Sequence, residues 1–212
     1  STTTEALFAT AKKSWIERRT KMQVGEIIAF DRFNWRILDV QDNMALIITE
    51  EIVEQRAYHS KYKDTIWPDC EVRNYLNGEF YDRFDETNKS RILETAIKNM
   101  DNPWYGTKAG NESQDKIFLL SLDEVCRYFG DSTEKLYNRG NNRYWKKNDE
   151  NNRKRLARFA AAHSCWWWWL RSPGRHNRLA AYVHGTDGCV GVNGNNVTNG
   201  GGGIRPAMWI KI

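Results

Sequence analysis

Several features that commonly announce a protein's chemistry are missing from this chain. Across 212 residues no apolar run approaches 18 residues, and a mean hydropathy of -0.75 is far from that of a membrane-spanning chain. The Ser/Thr-rich start carries no apolar core of a secretory signal, so none is expected. The four cysteines, Cys70, Cys126, Cys165 and Cys189, form no Cys-x-x-Cys pair, which removes zinc-knuckle and thioredoxin readings. Buried free thiols are expected instead, which suits a reducing compartment. Localisation stays open between cytoplasm, phage particle and export without a signal peptide. No Gly-x-x-x-x-Gly-Lys, Gly-x-Ser-x-Gly or His-Glu-x-x-His occurs, so the common nucleotide, hydrolase and zinc-protease chemistries have no anchor. His176 and His184 are the only close histidines, and exposure on loops is expected of them rather than metal ligation. No metal or cofactor is expected.

Charge of one sign is also scarce: 32 basic against 27 acidic residues give +5, mostly intermixed. The densest basic stretch, Arg153-Lys154-Arg155 with Arg158, reads as a solvated helix face, so nucleic acid is not the expected partner. Three glycosylation-like triplets, at Asn88, Asn111 and Asn196, are read as incidental.

What is present is aromatic. With 40% hydrophobic and 13% aromatic residues, ten of them Trp, the chain can bury a core of one substantial domain around large rigid side chains. An amphipathic helix is expected from Thr4 to about Lys21, within an appended segment 1–24. The runs 27–30, 35–40 and 44–48, separated by turn residues, predict a three-stranded meander. Asp69 is a candidate cap for a helix carrying Val72, Tyr75, Leu76 and Phe80. A second helix is expected from Asn88 to Asn99 through Ile92, Leu93, Ala96 and Ile97. Ile117–Leu120 is strand-like, and Ser121-x-x-Glu124 has the form of a capping box before a helix over 125–129. The Asn-rich stretch 138–158 reads as a polar surface insertion.

The last fifty residues differ from the rest. Cys165 to Gly174 is an aromatic run stopped by Pro-Gly, which predicts a central strand covered on both faces. Short strands at 180–183, 189–192 and 204–210 follow, with turns expected at Asp187-Gly188 and Asn193-Gly194. Between Gly174 and Gly203 there is no Lys, Glu, Gln, Met or Trp, although these five types fill 46 of the 212 positions. Chance omission has a probability on the order of one in a thousand. Every residue type that does occur there can be coded by changing only the adenines of an AAC asparagine codon, and the five missing types cannot. Arg175-His176-Asn177-Arg178-Leu179 within it has the diversity of a paratope.

The pieces Trp168-Trp169-Leu170-Arg171-Ser172-Pro173-Gly174, Ala180-Ala181-Tyr182-Val183, Asp187-Gly188 and Gly203-Ile204-Arg205-Pro206-Ala207-Met208-Trp209-Ile210 resemble the C-terminal signature of a bacterial family. That family has a C-type-lectin-like fold related to formylglycine-generating enzymes, and it includes variable proteins of diversity-generating retroelements. The stretches 35–40, 69–77 and 115–121 are similar to its other landmarks, so the resemblance runs from about Gly25 to the end. It implies an α+β, C-type-lectin-like single domain over 25–212 with irregular C-terminal hairpins and a variable region at about 165–203.

The function so implied is non-catalytic, receptor-like binding of a protein or surface ligand. Its changeable contact positions would be Arg175, His176, Asn177, Arg178, Leu179, His184, Gly185, Thr186, Cys189, Gly191, Val192, Asn193, Asn195, Asn196, Thr198, Asn199, Gly200 and Gly201. Trp166 to Ser172, Arg205, Pro206 and Trp209 would be scaffold. A fixed-specificity lectin-like adhesion domain is the alternative. A formylglycine-generating-type oxidase, which would pair Cys165 with Cys189, is a further one.

Overall fold

The computed structural model describes residues 22–130, 136 and 150–212. The expected helix from Thr4 to Lys21 and the first part of the polar insertion lie outside them. The meander forms as expected. Strands β1 (Ile27–Phe30), β2 (Phe33–Gln41) and β3 (Met44–Thr49) pair antiparallel. Their turns are tight because Asp31 and Asp42 accept φ values of 54° and 48°, a conformation short polar side chains tolerate. The short strand β4 (Glu54–Gln55) follows.

Helix α1 (Glu71–Tyr75) runs directly into a π-helical turn over Leu76–Phe80 that keeps Val72, Tyr75, Leu76 and Phe80 buried. Its cap is Cys70, not Asp69: the Cys70 sulfur accepts the Arg73 N–H at 3.4 Å. The expected helix over 88–99 does not form. The chain makes only α2 (Glu86–Lys89), capped by Asp85, and then β5 (Thr95–Ile97), which pairs with β6 (Ser113–Asp115). Helical spacing over 92–97 was overridden by a distant pairing partner.

Ile117–Leu120 is buried and touches both sheets, through a bridge between Phe118 and Ala207 and through the Arg171 N–H donated to Leu120 O, without forming a ladder, so it is an extended connector rather than a strand. The Ser121–Glu124 capping box is present in full at the start of α3 (Leu122–Arg127). Residues 150–158, read as part of the insertion, hold α4 (Glu150–Arg155) and the start of β7 (Ala157–Phe159). Strand β7 pairs with β8 (Ser164–Trp166).

The aromatic run breaks at Trp167 and continues as β9 (Trp168–Pro173), whose six residues are all buried. It is central: β10 (Leu179–Val183) and β11 (Val190–Asn196) lie on one side, and β12 (Gly203–Ile204) and β4 on the other. After Arg205-Pro206, strand β13 (Ala207–Lys211) crosses to the first sheet and pairs with β3. The closing residues therefore join a four-stranded and a five-stranded sheet around one core, an α+β architecture.

Trp35, Trp67, Trp168 and Trp169 are at most 1% exposed, and truncating any one to Ala costs on the order of 3–5 kcal/mol in such a setting. Two buried ionic networks fix the packing. Asp115, fully buried, accepts from the Trp67 indole at 2.8 Å, Arg73 Nε at 2.6 Å and the Ser113 hydroxyl at 2.9 Å. Arg171 in β9 pairs with Glu124 and also donates to the carbonyls of Leu119 and Lys98. The Glu124 carboxylate and two carbonyls offset most of the cost of burying the Arg171 charge, leaving its Nε without a partner among the described residues.

Candidate functional site: the C-terminal loop surface

The β9–β10 loop has a backbone held in a hydrogen-bonded frame. Its backbone is tied on every side: Gly174 N–H to Leu179 O, Arg175 N–H to Asn193 O, and Thr65 N–H to Asn177 O, at 2.7 to 2.9 Å. Thr107 Oγ1 donates to Arg175 O, and Asn177 Nδ2 donates to Lys108 O at 2.7 Å. Arg175 and Arg178 are exposed, while His176, Asn177 and Leu179 are half-buried. Arg178 lies over the exposed Tyr62 ring and 3.4 Å from an Asp64 oxygen. Burial, with the Arg178 and Arg175 charges, holds the His176 imidazole below its ordinary range, and its Nδ1 is buried without a partner.

The β10–β11 turn forms at the other end of the same hairpin. Gly188, at φ 72°, closes it, with Gly188 N–H donating to His184 O. Thr186 is exposed, and His184 and Gly185 are half-buried. Strand β10 separates His176 from His184 by five extended residues, about 16 Å, so the two imidazoles cannot share an ion.

The third group follows Asn196, which pairs with Leu179 in the ladder and so returns to the first loop. Here asparagine side chains shape the backbone. Asn196 Oδ1 accepts from the Thr198 N–H at 2.9 Å and hydroxyl at 2.8 Å, and Asn199 Oδ1 from Gly201 N–H at 3.0 Å. Asn196, Asn199 and Gly200 are exposed, and Asn193, Asn195, Thr198 and Gly201 half-buried. The turn expected at Asn193-Gly194 is not a hairpin tip. Both residues lie inside β11, where Gly194 takes φ 84° and approaches the Gly174 backbone, beside an irregularity in the β10–β11 register.

Three of the expected contact positions do not reach the surface. Cys189 is 1% exposed, Val192 is fully buried, and Gly191 lies beneath the Tyr182 ring. Gly191 and Val192 lie in β11 on opposite faces of the sheet, one under the Tyr182 ring and the other in the core, while Cys189 lies just before the strand against Asn152. Gly185 is half-exposed but equally constrained, because a β-carbon there would stand 2.5 Å from the Trp166 carbonyl carbon.

An aromatic seam joins the groups. Trp167 meets Trp169 and Tyr182 edge-on, with centroids at 4.8 and 5.7 Å, and Tyr182 Oη is 3.1 Å from His184 Nε2. The Trp166 indole donates to Gly201 O at 2.7 Å. Trp168 and Trp169 are core, as are Leu170 to Ser172, Arg205 and Pro206, while Trp166, Trp167 and Trp209 are only partly buried. Tyr62 and Lys108 border the first loop from distant parts of the chain, and no local signal marks them.

The cysteine expectation needs one correction. Cys70, Cys126 and Cys189 are buried thiols, but Cys165 is exposed on β8. Cys189 accepts from Asn152 Nδ2 at 3.3 Å. Among the described residues no group of three or more His, Cys, Asp or Glu side chains is placed to hold a metal ion, and no helix is long and apolar enough to cross a membrane.

Fold and site together define a mixed α+β domain that presents a polar loop surface bearing arginine, histidine and asparagine from its last strands. The chain belongs to the family described as a domain of unknown function (DUF6273), whose model matches residues 42–212. Neither a curated protein nor a solved structure matches it.

Proposed function

We propose that this protein is a non-catalytic binding module on a C-type-lectin-like scaffold, and that its C-terminal loop surface is diversified by a retroelement to change its target. One observation carries the reading. The segment without Lys, Glu, Gln, Met or Trp is also the segment whose backbone is held by the surrounding frame while Arg175, Arg178, Thr186, Asn196 and Asn199 stand exposed. Replacing such side chains leaves the core untouched, so specificity can change without loss of fold. The frame also limits ordering cost on binding, as in matured paratopes.

The test is to sequence the coding region for 165–203 with its flanks in many sibling isolates. Substitutions at adenine-bearing codons, concentrated at those five exposed positions and sparing Gly185 and Gly191, are expected beside a near-copy template and a reverse transcriptase. Uniform codons with no template would overturn diversification and leave a binding surface of fixed specificity.

A further inference from the structure

A second concavity lies away from the loop surface, at the end of the first sheet. It is a cleft of about 570 Å³ between β2–β3, the end of α3 and helix α4. That is the size of small-molecule sites. Its charged lining is unbalanced: Arg36, Arg153, Lys154 and Arg205 face one carboxylate, Glu50. Glu50 is already engaged, holding Arg36 through Nε at 2.8 Å and Nη2 at 2.6 Å.

Arg205 is the informative group. It is 1% exposed, donates through Nε to Thr49 O at 2.7 Å and through Nη2 to Glu50 O at 3.3 Å, and leaves Nη1 with no hydrogen-bond partner. Burial, only partly opposed by Glu50 and reinforced by the Arg36 charge, pushes its guanidinium down to about 10. The rings of Trp168 and Phe129, at 5.0 and 5.7 Å, supply part of the compensation, but neither neutralises the charge. Helix α4 contributes to this cleft with one face only. Asn152 and Arg155 turn inward, toward Cys189 and the Val125 carbonyl, whereas Arg153 and Lys154 are exposed at the cleft wall. The reading of 153–155 as a wholly solvated face is therefore corrected at Arg155, which is fully buried. Tyr128, Phe129 and Leu156 give the cleft an apolar side.

We propose that this cleft binds a small organic anion, whose carboxylate or phosphate oxygens meet Arg205, Arg153 and Lys154 while its flat apolar part lies against Tyr128 and Phe129. An oxyanion satisfies a guanidinium edge with charge-assisted hydrogen bonds, which water supplies less strongly in a confined site. The volume of the cleft suits a small molecule. The site shares no residue with the loop surface, so it stands whether or not that surface is diversified.

The test is calorimetric titration of the full chain with benzoate, phenyl phosphate and the neutral counterpart benzamide. One-site binding of at least one anion at about 1 mM or tighter is expected, with benzamide at least tenfold weaker. The anion preferred identifies the head group. The Arg153→Ala/Lys154→Ala double variant, altered only at exposed positions, should bind the anion at least tenfold more weakly, and Leu156→Trp should block it by filling the cleft. Absence of saturable anion binding, equal binding of benzamide, or unchanged affinity in the double variant would overturn the proposal.

Discussion

The ring of Tyr182 occupies the space over Gly191, so that a β-carbon at 191 would stand 2.4 Å from the tyrosine Cε1. Tyr182 cannot swing aside freely, because Trp167 and His184 flank it. Gly191→Ala should therefore destabilise the protein by about 1–3 kcal/mol through overpacking. Gly200→Ala, where nothing lies within 4 Å, should stay within about 0.5 kcal/mol. Urea denaturation of both variants checks the contrast, and equal stabilities would show that the seam is loose.

Exposed positions of the loop surface should behave in the opposite way. Arg175→Ala, Arg178→Ala and Thr186→Ala each remove an exposed side chain that carries no core packing, so thermal stability should change by less than about 0.5 kcal/mol. The Arg178–Asp64 contact does not alter this, since an exposed ion pair is screened and contributes little. A loss beyond about 1 kcal/mol in any of the three would assign that residue to the scaffold.

The Arg171–Glu124 pair sets a pH dependence. Burial opposes ionisation of Glu124, but the Arg171 charge and hydrogen bonds outweigh it and hold the carboxyl below its usual range. A depressed carboxyl contributes stability that is present above its unfolded value of about 4.3 and is lost as pH falls through the folded value. Unfolding free energy should therefore fall as pH drops below about 5, and Glu124→Gln should flatten that fall. The variant should also lose about 2–4 kcal/mol at pH 7, because Arg171 is left buried and unpaired. Denaturation curves at several pH values, wild type beside variant, decide it.

Asp115 offers a sharper loss. Three donors converge on a carboxylate with no exposure, so Asp115→Ala should cost about 3–5 kcal/mol, leaving the Arg73 guanidinium, the Trp67 indole and the Ser113 hydroxyl without their acceptor. Asp115→Asn should cost less, since it keeps one acceptor oxygen. A chemical denaturation series ranks the two.

Thiol accessibility separates the cysteines. Under native conditions iodoacetamide should label Cys165 alone, because Cys70, Cys126 and Cys189 are buried, and burial pushes the Cys70 thiol up to about 12. Mass spectrometry before and after denaturation reads this directly. Comparable native labelling of Cys189 would favour the oxidase alternative that pairs it with Cys165.

Much of the architecture was legible in the chain because its signals are local. The meander followed from apolar runs separated by Asp and Asn turns, the Ser121–Glu124 cap from two residues three apart, and the buried strand from an aromatic run ended by Pro-Gly. Composition alone set 174–203 apart from the rest of the chain. What escaped were the features that depend on distant partners. The spacing of Ile92, Leu93, Ala96 and Ile97 fits a helix, but β6 captured Thr95–Ile97 as a strand. Asn193-Gly194 has the composition of a hairpin tip, yet β11 continues through it because Gly194 packs on Gly174 from another loop. Burial of Cys189, Gly191 and Val192 and the place of Tyr62 beside Arg178 depend likewise on contacts with residues elsewhere in the fold. Sequence period fixes which residues alternate along a strand, but which face is buried is decided only when other strands arrive to cover it. The unpaired edge of Arg205 shows the limit most clearly: its motif marked it as scaffold, and only the folded chain set it in a cleft with more cations than carboxylates.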